Sequence, residues 1–229
     1  KVGQYTITAY YYGSLNYNEV TIPDEFTVHP IYNFEFTAEV NDTVWGNKTN
    51  ATVKLSPDAS GSIQIGTAVT PIEGPVTVIE LPVQNIAGKN NVTVKYIPDK
   101  DSRYGANEIT VYYNVAKKST EITIADITGT KVGDNVEIVA SAYEGADIIL
   151  YVDGVKLDST TVENIAAGSH NIVARVAETD SYLSASANKT FTVSKHDADV
   201  SISGTPVNDG EKSTITVTTD ADIGIVIVN

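Results

Sequence analysis

The chain has 229 residues, 41% of them hydrophobic, which is enough for one large domain or two to three small ones. Its formal net charge of -14, with 15 Lys and Arg against 29 Asp and Glu, excludes the basic footprint of a nucleic-acid binder and disfavours docking on anionic lipid. The absence of cysteine excludes a disulfide framework, a thiolate metal site and a cysteine nucleophile.

Methionine is absent as well, so Lys1 is not a translation start, and no leader or membrane-spanning run is present. The chain therefore reads as an internal or processed piece of something longer. No window of three turns carries a sustained helical stripe. Period-two alternation of Val, Ile, Thr and Tyr recurs instead, punctuated by Gly, Asp, Asn and Pro, which predicts an all-β chain of sandwiches or barrels.

In chain order, Val2 to Tyr11 reads as a half-buried strand that returns through a polar loop containing Tyr17 to a second strand carrying Phe26 and Val28. After the boundary at Val28-His-Pro30 comes a polar loop, Asn41 to Gly46, holding the single tryptophan, Trp45. The turn Pro57-Asp-Ala-Ser-Gly61 and the strand Ile63-Gln-Ile65 follow. Residues 67 to 82, with Pro71 and Pro75, break the pattern and leave strand order there open. The segment from Gly88 through Tyr96, Tyr104 and Tyr113 to Val115 repeats the opening hairpin. Beyond Val115-Ala-Lys-Lys118, strands are expected at Thr120 to Ile124, Val136 to Ala140 and Ile148 to Val152. The turn Glu144 to Asp147 precedes the last of these, and Asp153-Gly154 closes it as a two-residue hairpin. Gly168, Val176, Tyr182, Phe191 and Val193 form a third copy of the hairpin. Past Val193-Ser-Lys-His196, Gly210 leads to a turn at Asp220 to Gly224, and a strand at Ile223 to Val228 ends at Asn229.

Self-similarity organises these pieces. The glycines at 3, 88 and 168 each precede an inward apolar position (Tyr11, Tyr96, Val176), a loop tyrosine (Tyr17, Tyr104, Tyr182), an aromatic (Phe26, Tyr113, Phe191) and a valine (Val28, Val115, Val193) at matching spacings. Gly46, Gly133 and Gly210 align the front halves. The reading is two whole repeats, residues 29–115 and 116–194, bracketed by the back end of one repeat at 1–28 and the front half of another at 195–229. The boundary segments are short, which restricts bending.

Asp58-Ala-Ser-Gly61, Val152-Asp-Gly154, Ala87-Gly88, Ala167-Gly168 and the Tyr and Val series together resemble the bacterial-type Ig-like repeats of large surface proteins, especially the adhesin-like proteins of methanogenic archaea. The resemblance spans essentially the whole chain. It implies tandem immunoglobulin-like β-sandwich domains, two complete plus two partial. It also implies an extracellular, envelope-attached location and a role in adhesion or surface architecture, with adjacent repeats, other copies, a cell-surface protein or a glycan as partners.

Candidate chemistry is sparse. His29 and His196 sit at boundaries and His170 opens a strand, with no Ser-His-Asp arrangement and no zinc spacing. No enzyme and no required cofactor is expected. Calcium would draw on Asp197 and Asp199 at a boundary, then Asp99 and Asp101, although no Asp-x-Asp-x-Asp-Gly loop is present. Glycosylation sequons begin at Asn41, Asn47, Asn50, Asn91 and Asn188. Trp45 is the candidate for contact with a sugar, set against a role in capping its own sandwich. A Lys–Asn isopeptide bond needs a buried trio that the sequence does not display.

Overall fold

A computed structural model describes residues 1–220 of the chain. The strand expected at Ile223 to Val228, the end at Asn229 and the turn beyond Asp220 lie outside the described residues. Contacts divide the chain into two units: residues 1–119 with 178–183, and residues 120–177 with those from 184 on.

Among the described residues every helix or strand is a strand. The first unit opens with β1 (Gly3–Tyr11) and β2 (Val20–Val28), an antiparallel hairpin whose register runs from Gly3 opposite Val28 to Tyr11 opposite Val20. It continues with β3 (Phe36–Val40), β4 (Thr43–Val44), β5 (Thr49–Leu55), β6 (Gly61–Ile65), β7 (Ala68–Pro71), β8 (Val76–Leu81), β9 (Gly88–Pro98) and β10 (Asn107–Ala116). Strands β3-β5-β8 form one sheet and β4-β10-β9-β6-β7 another. Ala51, Val53, Leu55, Ile79 and Leu81 from the first sheet share one core with Ile63, Ile65, Val94 and Tyr96 from the second. The arrangement is a two-layer sandwich, and alternation along each strand delivers one residue in two to the interior. Each buried Val, Leu or Ile among them contributes about 1.5–3 kcal/mol.

The segment left open by the sequence, 67 to 82, does two things. After a turn at Gly66-Thr67, β7 folds back on β6, with Ile65 opposite Ala68, and then β8 pairs with β5 in the other sheet. Pro71 ends the outermost strand of its sheet, where a missing N–H costs no ladder bond.

The second unit contains β11 (Thr123–Ile124), β12 (Val136–Glu137), β13 (Ala140–Ser141), β14 (Ile148–Val152), β15 (Val155–Lys156), β16 (Thr161–Val162), β17 (Gly168–Val176), β18 (Ala185–Val193), β19 (Val200–Gly204) and β20 (Ile215–Thr219). Strands β15-β14-β17-β18 make its largest sheet, and Ile138, Leu150, Val152, Ile172, Ala174, Phe191 and Val193 belong to its core. The turn between β14 and β15 is Asp153-Gly154, with φ of +49° and +84°, the mirror-image turn that this dipeptide favours. Two expected strands are shorter than the alternation suggests. Thr120 to Ile124 is strand only from Thr123. Val136 to Ala140 is split into β12 and β13, because its first part bonds toward residues 160–162 and its second toward 123–125.

The repeats share conformation as well as spacing. Gly3, Gly88 and Gly168 stand opposite Val28, Val115 and Val193 respectively. Gly46, Gly133 and Gly210 adopt φ of +84°, +83° and +86°, a left-handed turn used three times where a side chain is strained. Among the described residues, the registers of β1–β2 and β19–β20 match those of β9–β10 and β3–β5, but both hairpins form sheets of only two strands.

Candidate functional site

Three constructions recur in the hairpins. One is at the start. The side chain two residues beyond each hairpin glycine reaches back to a backbone carbonyl four residues earlier. Tyr5 Oη donates to Lys1 O at 2.7 Å and Asn90 Nδ2 donates to Ile86 O at 2.9 Å. His170 Nε2 lies 2.9 Å from Ala166 O. No residue-type signal marks this position, because a phenol, an amide and an imidazole share only a donor at the right reach. It becomes findable once the glycines are aligned.

The second is the loop tyrosine. Ile31 N–H donates to Arg103 O and Gly105 N–H returns to Ile31 O, which makes a parallel bridge between Ile31 and Tyr104. Lys118 makes the same bridge with Tyr182. The Tyr104 ring lies 4.6 Å from Phe34, and its hydroxyl donates to Asp58 Oδ1, while Arg103 holds Asp58 Oδ2 at 3.0 Å. The Tyr104 bond first, and the guanidinium after it, hold the Asp58 carboxyl below its ordinary range. Beneath them the buried Tyr96 gives its hydroxyl to Ser60 O at 2.8 Å and shares a 3.0 Å bond with Ser102 Oγ, and burial pushes its ionisation up. Tyr96→Phe removes both bonds, leaves Ser60 O to Asp99 N–H at 3.2 Å and Ser102 Oγ to Tyr104 N–H at 3.2 Å, and is expected to lower the stability of the first unit by about 1 kcal/mol in thermal unfolding. Tyr17 differs from the other two tyrosines and is 72% exposed.

The third is a short parallel pairing onto each repeat's last strand. Thr43 and Val44 of β4 lie beside Val115 and Ala116, and Lys131 lies beside Ser194. Trp45 N–H donates to Ala116 O at 2.8 Å and Val132 N–H to Ser194 O at 3.0 Å. The polar loop expected around Trp45 therefore contains a strand.

The residues singled out from sequence are scattered. Trp45 is half-buried, gives Nε1–H to Asn85 O at 3.1 Å and stands 5.4 Å from the Tyr182 ring. Asn41, Asn47, Asn50, Asn91 and Asn188 are all exposed, in a loop, in a turn, and on β5, β9 and β18. Asp101 pairs with Lys1 at 3.1 Å, Asp197 is 4.0 Å from Lys131, and the Asp99 carbonyl accepts from Ser102 N–H. Asp199 N–H donates to Asp220 Oδ1 at 2.8 Å. Among the described residues no group of three His, Cys, Asp or Glu is placed to hold a metal ion. His196 Nε2 contacts Val132 O at 2.9 Å, and His170 bonds Asp153 at 2.7 Å. Among the described residues no helix is long and apolar enough to cross a membrane. The described residues form an all-β structure whose sheets resemble Ig-like sandwiches.

No family model matches the chain, and no curated protein matches it. Solved structures similar to it include a titin I67–I69 variant of three Ig domains, with a TM-score of 0.35 and 12% identity over 86% of this chain and 75% of that one. Sidekick-1 immunoglobulin domains 1–4 give 0.34 and 12%, over 86% and 59%. The fibronectin(III)-like modules of Clostridium thermocellum CbhA give 0.29 and 12%, over 69% and 95%. All three scores lie below 0.5, so the Ig-like character rests on the strand registers and paired cores of this chain.

Proposed function

We propose that this chain is part of an extracellular stalk of tandem Ig-like repeats that holds a binding region away from a cell surface. In this reading 29–115 and 116–194 are domains, and 1–28 and 195–229 belong to further repeats. The carrying observation is the recurrence of one hairpin register at Gly3–Val28, Gly88–Val115 and Gly168–Val193. Such recurrence is what a spacer needs and what a single specialised site does not.

The ends of the two complete repeats support a role under tension. The entering segment, β4 or the stretch around Lys131, runs parallel to the departing end of the last strand. Tension along the chain then pulls two parallel neighbours past each other, and the bonds between them share the load in shear. The net charge of -14 adds self-repulsion that keeps neighbouring molecules apart. The resemblance to repeats of surface adhesin-like proteins is what supports an extracellular location in this reading. Exposure of all five sequon asparagines fits glycan attachment in that setting. Small-angle scattering of the full chain is expected to give an extended particle whose maximum dimension exceeds that of a sphere of the same mass. A globular profile sinks the stalk reading.

Direct binding of a surface glycan by Trp45 is the weaker reading, since its ring and Nε1–H already have partners. Self-assembly has a specific observation behind it. Ile7 (59% exposed) and Ile22 (61%) stand at the register positions that Val92 and Ile109, packed against the first core, occupy in the complete hairpin. Ile202 and Ile215 of β19–β20 are uncovered in the same way. These faces suit strand complementation between copies, and light scattering of the folded full chain as a monomer at tens of micromolar argues against it.

A further inference from the structure

Of the three hairpin ties, one is made by a histidine, the side chain that ordinarily titrates near neutral pH, and it is built differently from the others. His170, whose side chain is 12% exposed, presents Nδ1 to Asp153 Oδ2 at 2.7 Å and Nε2 to Ala166 O at 2.9 Å. Both neighbours are oxygens that only accept: a carboxylate and a backbone carbonyl. A neutral imidazole donates from one nitrogen and sets the other's lone pair against an oxygen, while the imidazolium donates from both. Asp153 is itself anchored to β17. It accepts Asn171 N–H on Oδ1 at 2.9 Å and gives its own N–H to Asn171 O at 2.9 Å. The protonated ring thus joins the β14–β15 turn, the segment before β17 and β17 itself.

In the first unit the same position is Asn90, whose amide makes the carbonyl tie without titrating; there β6 ends at Ile65 opposite Val94, two positions short of where Val152 stands opposite Ile172, and the Gly66-Thr67 turn after it carries no carboxylate. In the opening hairpin it is Tyr5. The tie recurs in all three hairpins, and the second unit alone, among the described residues, makes it with a histidine and a carboxylate.

We propose that His170 is an acid-tightened clip, so that the second unit holds together more firmly at mildly acidic pH than at alkaline pH while the first does not. The Asp153 bond, then the Ala166 carbonyl, raise the His170 ionisation above its ordinary value, and the His170 bond lowers that of Asp153. A raised histidine contributes its stability below its unfolded value, near 6.5, and loses it as pH climbs through the folded value. The lowered carboxylate contributes above its own unfolded value, near 3.9, and loses it as pH falls through the folded one. The clip is therefore fullest between roughly pH 4 and 6.5. The other charged side chains on the neighbouring elements are Lys156 on β15, Glu163 ahead of Ala166, Arg175 further along β17, and Lys189 on β18. Lys189 is turned to Asp126 at 2.6 Å. Phe191 of β18 covers the ring with centroids 5.4 Å apart.

Imidazole NMR titration and thermal unfolding of the full chain test this together. His170 is expected to titrate above the ordinary histidine range, and the second unit to melt several degrees higher at pH 5.5 than at pH 8.5. His170→Asn, the residue the first unit already uses, is expected to fold and to erase that difference, while His196→Gln keeps it. A His170 that titrates at or below the ordinary value, a wild type with no pH difference, or a pH difference that survives in His170→Asn overturns the proposal.

Discussion

Gly61→Ala is expected to cost the first unit about 3 kcal/mol or more, lowering its melting transition by upwards of about 10 °C while the second unit melts unchanged. Gly61 opens β6 with φ of +140°, and a methyl there would sit 2.1 Å from the Ile97 carbonyl oxygen, 2.9 Å from Pro98 Cα and 3.0 Å from Asp99 N. All three are backbone atoms at the end of β9, and β9 is held on one side by β6 and on the other by β10. No rotamer change relieves the clash. Either the Gly61–Pro98 pairing opens or β9 moves away from its partner, and both disturb the Tyr96 bond to Ser60 O. Gly74→Ala is the matched control, because nothing lies within 4 Å of the added carbon and its φ is ordinary. Wild-type melting of Gly61→Ala would mean that β6 and β9 do not approach as closely as these distances require.

Gly61 also illustrates what could be read in advance. Asp58-Ala-Ser-Gly61 was visible as a turn before a strand, but its close contact is with a segment almost forty residues away. The hairpins were legible because a half-buried strand must alternate, and a one-residue slip would turn Ile172 and Ala174 out of the core. Asp153-Gly154 was legible because a two-residue turn demands positive φ. Strand β4 was not: two residues, Thr43 and Val44, are too few to show a period, and they are strand only because β10 bonds them. The break between β12 and β13 was hidden for a related reason. Alternation reports which face a residue presents and says nothing of which edge its backbone bonds. In the sequence His170 only opens a strand, since its two acceptors, Asp153 and Ala166, come from separate segments of the chain.

The parallel pairing near each repeat's ends leads to a mechanical expectation. Val132→Pro deletes the N–H that donates to Ser194 O and leaves the reciprocal bond from Ser194 N–H to Thr130 O in place. One hydrogen bond is a modest thermodynamic loss, about 1 kcal/mol. Ile138→Val removes one methylene from a site 1% exposed and costs a similar amount, about 0.5–1.5 kcal/mol. At equilibrium the two variants therefore look alike. Under tension applied through the two ends of the full chain they are expected to part. Force acts first on the pairing between the entering stretch and the last strand, so Val132→Pro lowers the unfolding force of the second unit well below that of wild type. Ile138→Val changes it little, because the core gives way only after the strands have slid. Single-molecule pulling, with the two force peaks assigned by the same variants, measures this. Equal unfolding forces for both variants would show that the parallel pairing bears no load, and the stalk would then owe its strength to its cores.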